Sequence, residues 1–232
     1  ARLPRLVSMT CPTSPPLTLE AMLHAIPKVE LHCHLFGTVR HATFKQLNLR
    51  AGAPLAADEI EGFYTRGEKP VGVLRVLRAL DAQLVRGPGD LYQLTLEYLQ
   101  DAASHNVRYA EFFWNPTGTV HGSGIPYAMA QSAIVRAIQD AQLEFGITGR
   151  LIAAIDREAS PEAAVEMVEW VVAHRCDEVI GIGIDYREVD RPPELFTQAY
   201  AAAKKAGLKT TAHAGEFGMP WTNVRTALDV LQ

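Results

Sequence analysis

Apolar residues along this chain fall into two alternating patterns: short β-rich runs, and longer stretches with apolar positions three or four apart. The opening is spaced by Pro4, Pro12, Pro15 and Pro16 and reads as a loose, flexible arm over residues 1–16, in which Met9 is a candidate start. Thr18 then caps a short helix, Leu19–Ala25, which Pro27 ends. Val29–Leu35 is the first strand. Val73, Leu74, Leu77 and Leu80 share one helix face, and Asp90 is placed to cap an amphipathic helix running through His105. Val107–Phe113 is the second strand, closed by Asn115-Pro116. Pro126 and Gly146 bracket a helix over Tyr127–Phe145. Strands Arg150–Asp156 and Val179–Asp185 flank a helix that starts at Ser160-Pro161-Glu162 and runs to about Arg175. Pro193 and Gly207 bracket the next helix, Leu208–His213 is the fifth strand, and one more helix begins at Trp221.

Strands that alternate with helices predict an α/β fold with a parallel sheet covered by helices. Two architectures compete. A doubly wound, flavodoxin-like sheet also closes at five strands, but it usually carries a phosphate-binding loop after strand one, and no glycine-rich fingerprint stands there. Chemistry-bearing residues at strand C-terminal ends favour a (β/α)8 (TIM) barrel. Only five strands are legible, so the expectation is one barrel domain over residues 17–232 that stops before strand six, with the last strands absent.

The 232 residues are 48% hydrophobic and 21% charged, enough to bury a core. A net charge of −4 and a pI near 6.1 speak against nucleic-acid or anionic-membrane partners. No apolar run approaches the ~20 residues of a membrane span, and no segment has the form of a secretory signal. Three scattered cysteines, Cys11, Cys33 and Cys176, suit reduced thiols in a cytoplasmic protein.

The chemistry concentrates in two short segments. His32 and His34 flank Cys33 at the end of the first strand, and strand alternation points both imidazoles the same way. A third imidazole, His213, ends the fifth strand in His213-Ala214-Gly215-Glu216. Three histidines from two strands supply three of the four positions that a catalytic zinc takes. Gly215 lets backbone approach a ligand closely, and Glu216 lies within reach as a proton shuttle. Iron, cobalt and manganese also accept such ligands.

Val29–Leu35, Val107–Pro116, Gly183-Ile184-Asp185 and Thr211–Glu216 together resemble the adenosine deaminase branch of the amidohydrolase superfamily, with gaps, from about Pro27 onward. The resemblance implies one Zn2+ per chain held by His32, His34 and His213. It implies hydrolytic deamination of a small aminated heterocycle, a purine-like base or nucleoside, by a water that the ion makes acidic, with Glu216 passing a proton to the ring. It also implies a further histidine after strand six and an aspartate after strand eight. Both would lie beyond Gln232, and residues 1–232 alone would then be inactive. Two positions depart from the adenosine-binding pattern. Phe36 stands where such relatives carry an acid that binds a sugar hydroxyl, and Glu188 stands where they carry a glycine that meets the purine. The expected substrate is therefore not plain adenosine, and oligomeric state is left open.

Plainer readings stand beside these. Cys33 faces away from the histidines and reads as a packed thiol. His24, His41, His105, His121 and His174 read as surface or capping residues. Phe112, Phe113 and Trp114 divide between barrel interior and helix layer. Glu111 is either a charge near the site or an arginine's partner, and Asp185 either touches substrate or ends a strand. A binuclear hydrolase of amide or ester bonds is disfavoured because no lysine follows strand four. A barrel that has lost its chemistry is disfavoured by Glu216.

Overall fold

The computed structural model describes residues 18–65 and 73–231; the expected N-terminal arm lies outside them. Five strands form one sheet: β1 (Lys28–His34), β2 (Val107–Trp114), β3 (Thr148–Asp156), β4 (Val179–Asp185) and β5 (Lys209–Thr210). All pair in parallel, and spatial order equals chain order, β1-β2-β3-β4-β5. A doubly wound sheet reverses direction at a switch point, whereas a barrel adds each strand beside the last. The arrangement is that of a (β/α) barrel.

Parallel pairing aligns the strand C-terminal ends on one rim: His34 lies beside Phe113, and Asp156 beside Asp185. The run in β5 is shorter than the expected Leu208–His213. Yet Thr211 N–H still donates to the Ile182 carbonyl and His213 N–H to the Ile184 carbonyl, each at 3.1 Å. The chain thus follows β4 as far as His213. Two glycines in β4 permit the curvature. A Cβ on Gly183 would lie 2.7 Å from the Phe113 ring, and one on Gly181 would lie 2.4 Å from the Lys209 carbonyl. The inner face therefore holds a small cluster of Phe113, Ile152 and Ala154. The main core, with Phe112 and Trp114, lies between the outer face and the helices.

The connections are helices α1 (Leu19–Ala25), α2 (His41–Arg50), α3 (Ala57–Tyr64), α4 (Val73–Ala79), α5 (Pro88–Ser104), α6 (Pro116–Ser123), α7 (Tyr127–Phe145), α8 (Pro161–Ala173), α9 (Thr197–Lys205) and α10 (Thr222–Val230). Thr18 and Ser160 cap α1 and α8, each accepting at 3.2 Å from a backbone N–H three residues on. Two expectations need correction. Asp90 is not the N-cap of α5: Gly87 is, with Pro88 at the first position, and Asp90 reaches back from the first turn to accept from Arg86 N–H at 2.9 Å. Asn115-Pro116 does more than close β2, because it opens α6.

Helix α4 runs into a single π-helical turn, Leu80–Leu84, over the rim. Arg78 pairs there with Asp156 and Glu158, its guanidinium 3.7 Å above the Tyr186 ring. Asp81, 1% exposed, accepts one hydrogen bond from Thr119 at 2.8 Å, and its other oxygen has no partner among the described residues. Burial pushes its carboxyl up to about 7, against the opposing pull of Thr119 and Arg78. A raised folded value means that the unfolded chain ionises first, near its ordinary 3.8. The penalty then grows until about pH 7 and is constant above. Asp81→Asn removes the titration. The melting temperature of the variant minus that of the parent should rise by roughly 5–10 °C between about pH 4.5 and pH 7.5. Parallel melting curves across that range would contradict it.

Candidate metal centre

His32 and His34 leave the end of β1 on one face, and His213 arrives from the segment after β5. Nε2 of His213 lies 2.8 Å from Nε2 of His32 and 3.2 Å from Nε2 of His34. Among the described residues these three form the cluster able to hold a metal ion, with ligand atoms all within 4.8 Å of one another. Their tautomers follow from the other ring nitrogens. His213 Nδ1 lies 2.7 Å from the Ile184 carbonyl, and His34 Nδ1 lies 3.2 Å from Asp185 Oδ2. Both Nδ1 atoms face acceptors, so both carry the proton, and both Nε2 atoms present lone pairs. The 3.2 Å approach of His34 to His213 is therefore two acceptors facing one another. Such a pair is repulsive until a cation lies between them. Two nitrogens bound to one tetrahedral zinc lie about 3.3 Å apart, so this donor set fits the ion. Burial first, then the charges of His213 and His34, lowers the His32 pKa and favours its neutral, ligating form.

The surroundings fix these rings. Asp185, 4% exposed, accepts from Asn115 Nδ2 at 2.6 Å through one oxygen and meets His34 through the other. It orients the His34 ring, as carboxylates behind metal-bound histidines do. Phe113 packs beneath His32 and His34, with ring centroids 5.0 and 5.1 Å away. Arg157 Nη2 donates to the His213 carbonyl at 2.6 Å, and the Tyr200 hydroxyl donates to the Thr211 carbonyl at 2.6 Å.

Glu216 shares a cavity of about 210 Å³ with His34 and His213. The far wall is apolar: Leu35, Phe36, Leu74, Leu77, Trp114 and Tyr186. Phe36 thus stands on the cavity wall, and Asp185 lines the same space while both its oxygens are engaged. Gly215 takes φ +75°, and a Cβ there would also press on Val224 at 3.0 Å, so the turn from His213 to Glu216 requires glycine. Glu188 is the exception among the expected substrate contacts. It is 1% exposed and turned beneath the Glu216 turn. There its carboxylate accepts from Glu216 N–H and from Asn223 Nδ2, each at 3.0 Å. Two hydrogen bonds and the charge of Arg157, whose Nη1 lies 3.3 Å from Oε1, hold the carboxylate away from the cavity.

Cys33 faces the helix layer, where burial pushes its thiol up to about 11. Asn115 and Arg157 were not singled out by sequence. Their one signal was position, since each directly follows a strand at the rim where barrels gather their sites.

Residues 27–232 match the family model described as adenosine deaminase. The chain is 34% identical to an adenine deaminase of Vibrio parahaemolyticus over 217 residues, 92% of this chain and 63% of that enzyme. Among solved structures, an amidohydrolase of B. ambifaria with bound zinc is 63% identical with a TM-score of 0.89, over 95% of this chain and 61% of that one. The adenine deaminase of Arthrobacter aurescens is 32% identical with a TM-score of 0.78, over 89% and 63% respectively. The chain thus spans a little under two thirds of the length of these relatives.

Asp185→Asn should put an amide N–H against either Asn115 or the His34 N–H. We expect zinc affinity, measured by chelator competition, to fall ~10–100-fold while the fold persists. An unchanged dissociation constant would show that Asp185 does not orient His34.

Proposed function

The chain belongs to the adenosine deaminase family, and from that premise we propose that it forms the metal-binding part of a cytoplasmic, zinc-dependent aminohydrolase acting on an aminated purine-like heterocycle. The observation that carries this reading is that three imidazole nitrogens converge on one point, and two of them, His34 and His213, share a mostly apolar cavity with the carboxyl of Glu216. His32, His34 and His213 would hold one zinc ion, which when bound supplies a water acidic enough to act as nucleophile near neutral pH.

The protein's own groups do the rest. Glu216 takes the proton that the water gives up and delivers it to the ring nitrogen next to the carbon under attack. Loss of the amino group as ammonia leaves the oxo-heterocycle, so one water is consumed for each ammonia released. The apolar wall of Phe36, Leu74 and Leu77 receives a flat ring and excludes bulk water, which strengthens the polar contacts at the opposite end. Phe36 offers no acceptor for a sugar hydroxyl, and a site without that partner gains nothing from a ribose. The relatives named adenine deaminases point the same way, toward a free base. No described helix is long and apolar enough to cross a membrane, and the free thiols of Cys33 and Cys176 suit a reducing compartment.

The test is ammonia release by the complete zinc-loaded polypeptide from a panel of aminated purines, nucleosides and pterins. Adenine-like bases should exceed adenosine, and adenosine as the best substrate would overturn the specificity reading. Glu216→Gln should lower kcat by ~10²–10⁴-fold while retaining about one zinc per chain. Chelation should abolish turnover and lower the melting temperature, and zinc should restore both. Two ions per chain would favour a binuclear hydrolase instead.

A further inference from the structure

Arg157 is the most deeply buried charge among the described residues, 0% exposed, directly after β3. Its Nη2 donates to the His213 carbonyl at 2.6 Å, and its Nη1 lies 3.3 Å from Glu188 Oε1, an attraction of charges without a linear hydrogen bond. Its Nε and Nη1 have no hydrogen-bond acceptor among the described residues. Glu188, from the loop after β4, carries the connection onward: Oε2 accepts from Glu216 N–H, and Oε1 accepts from Asn223 Nδ2 just inside α10. One buried ion pair therefore grips both ends of the four-residue turn that bears a metal ligand and a proton carrier.

Stability alone accounts poorly for this pair. Taking a guanidinium and a carboxylate out of water is costly, and an incompletely satisfied pair does not recover that cost. A well-packed apolar pair would serve a merely structural role as well. What apolar residues cannot do is fix the His213 carbonyl and the Glu216 amide at set positions, because only a donor and an acceptor aimed at those atoms can. The turn needs such a hold, since Gly215 sits at φ +75°, where glycine has no preference of its own to stay, and Phe217 sits at φ +56°, which a side chain disfavours.

We infer that Arg157 and Glu188 are positioning residues: Arg157 sets the His213 ring toward the metal, and Glu188 sets Glu216 toward the reacting ring. The kinetic half of this inference rests on the deaminase reading; the metal half does not. Sequence context had assigned Glu188 to the substrate. The geometry assigns it instead to the support of Glu216, one step removed from the chemistry.

The experiment compares Glu188→Gln and Arg157→Lys with the parent in the complete, zinc-loaded enzyme. A glutamine cannot replace Glu188, because a carboxylate only accepts. Whichever way the amide turns, one N–H meets Glu216 N–H or the Arg157–Asn223 side. Glu188→Gln is expected to lower kcat ~10–100-fold with KM and zinc affinity within about threefold of the parent. Arg157→Lys is expected to weaken zinc binding ~10–100-fold and to shift the visible spectrum of the cobalt-substituted protein. Should Arg157→Lys not fold, Asn223→Ala loosens the same carboxylate more gently, and a kcat loss of about 3–10-fold is expected. Parent-like kcat and zinc affinity in every variant would overturn the inference. So would losses of kcat, KM and zinc that merely track a fall in melting temperature. If the parent releases no ammonia from any heterocycle, the deaminase reading fails, and the cobalt spectrum and zinc affinity of Arg157→Lys still decide the hold on His213.

Discussion

Two imidazole lone pairs held 3.2 Å apart repel one another, and a protein that holds them so must supply the force from elsewhere. Here each ring is pinned from behind, His213 by the Ile184 carbonyl and His34 by Asp185. The pinning protonates the rear nitrogens and leaves the front ones bare. Asp185 is held in turn by Asn115, and the His213 carbonyl by Arg157. Those supports come from the ends of β2, β3 and β4, so the sheet itself keeps the rings aimed at one point. Every other feature of the site follows from needing that many strand ends on one rim.

A parallel sheet in chain order delivers such a rim, because each strand ends where its neighbour ends. The cost is curvature, and β4 meets it with glycine. Gly181 and Gly183 make room for the strand beside them and for Phe113 from two strands away. Phe113 fills the inner face and at the same time floors the two histidines of β1. Substituting a larger residue at Gly183 would therefore disturb the ligand rings through Phe113 without touching them.

Much of this was legible in the residues because two periodicities are strong. Val179–Asp185 and Tyr127–Phe145 have the ends read from sequence, one an uninterrupted apolar strand, the other a helix bracketed by proline and glycine. The reach of His32, His34 and His213 toward one point followed from strand alternation and the order of the strands. Helices α2, α3 and α6 went unread because their apolar faces are short and their starts ambiguous. Asn115-Pro116 can end a strand or begin a helix, and it does both. Asp90 looked like a cap because aspartate favours that place, yet proline two residues earlier fixes the first turn more firmly. The supports of the site were hidden for a different reason. A buried arginine and glutamate thirty-one residues apart carry no local pattern that distinguishes them from surface charges, and only the pairing of their parent strands brings them together.

That difference separates two kinds of information in the chain. The three clustered imidazoles and Glu216 are written locally, in His-Cys-His and His-Ala-Gly-Glu, at strand spacing. Their orientation is written non-locally, in Asp185 meeting His34 and in Glu188 meeting Glu216. A substitution at Phe36 alters what the cavity admits, since Phe36 stands on its wall beside Leu35, Leu74 and Leu77. One at Glu188 acts on the turn instead, because the carboxylate faces the turn and not the cavity. Cavity shape and the hold on the Glu216 turn thus reside in different residues, Phe36 on the cavity wall and Glu188 beneath the turn.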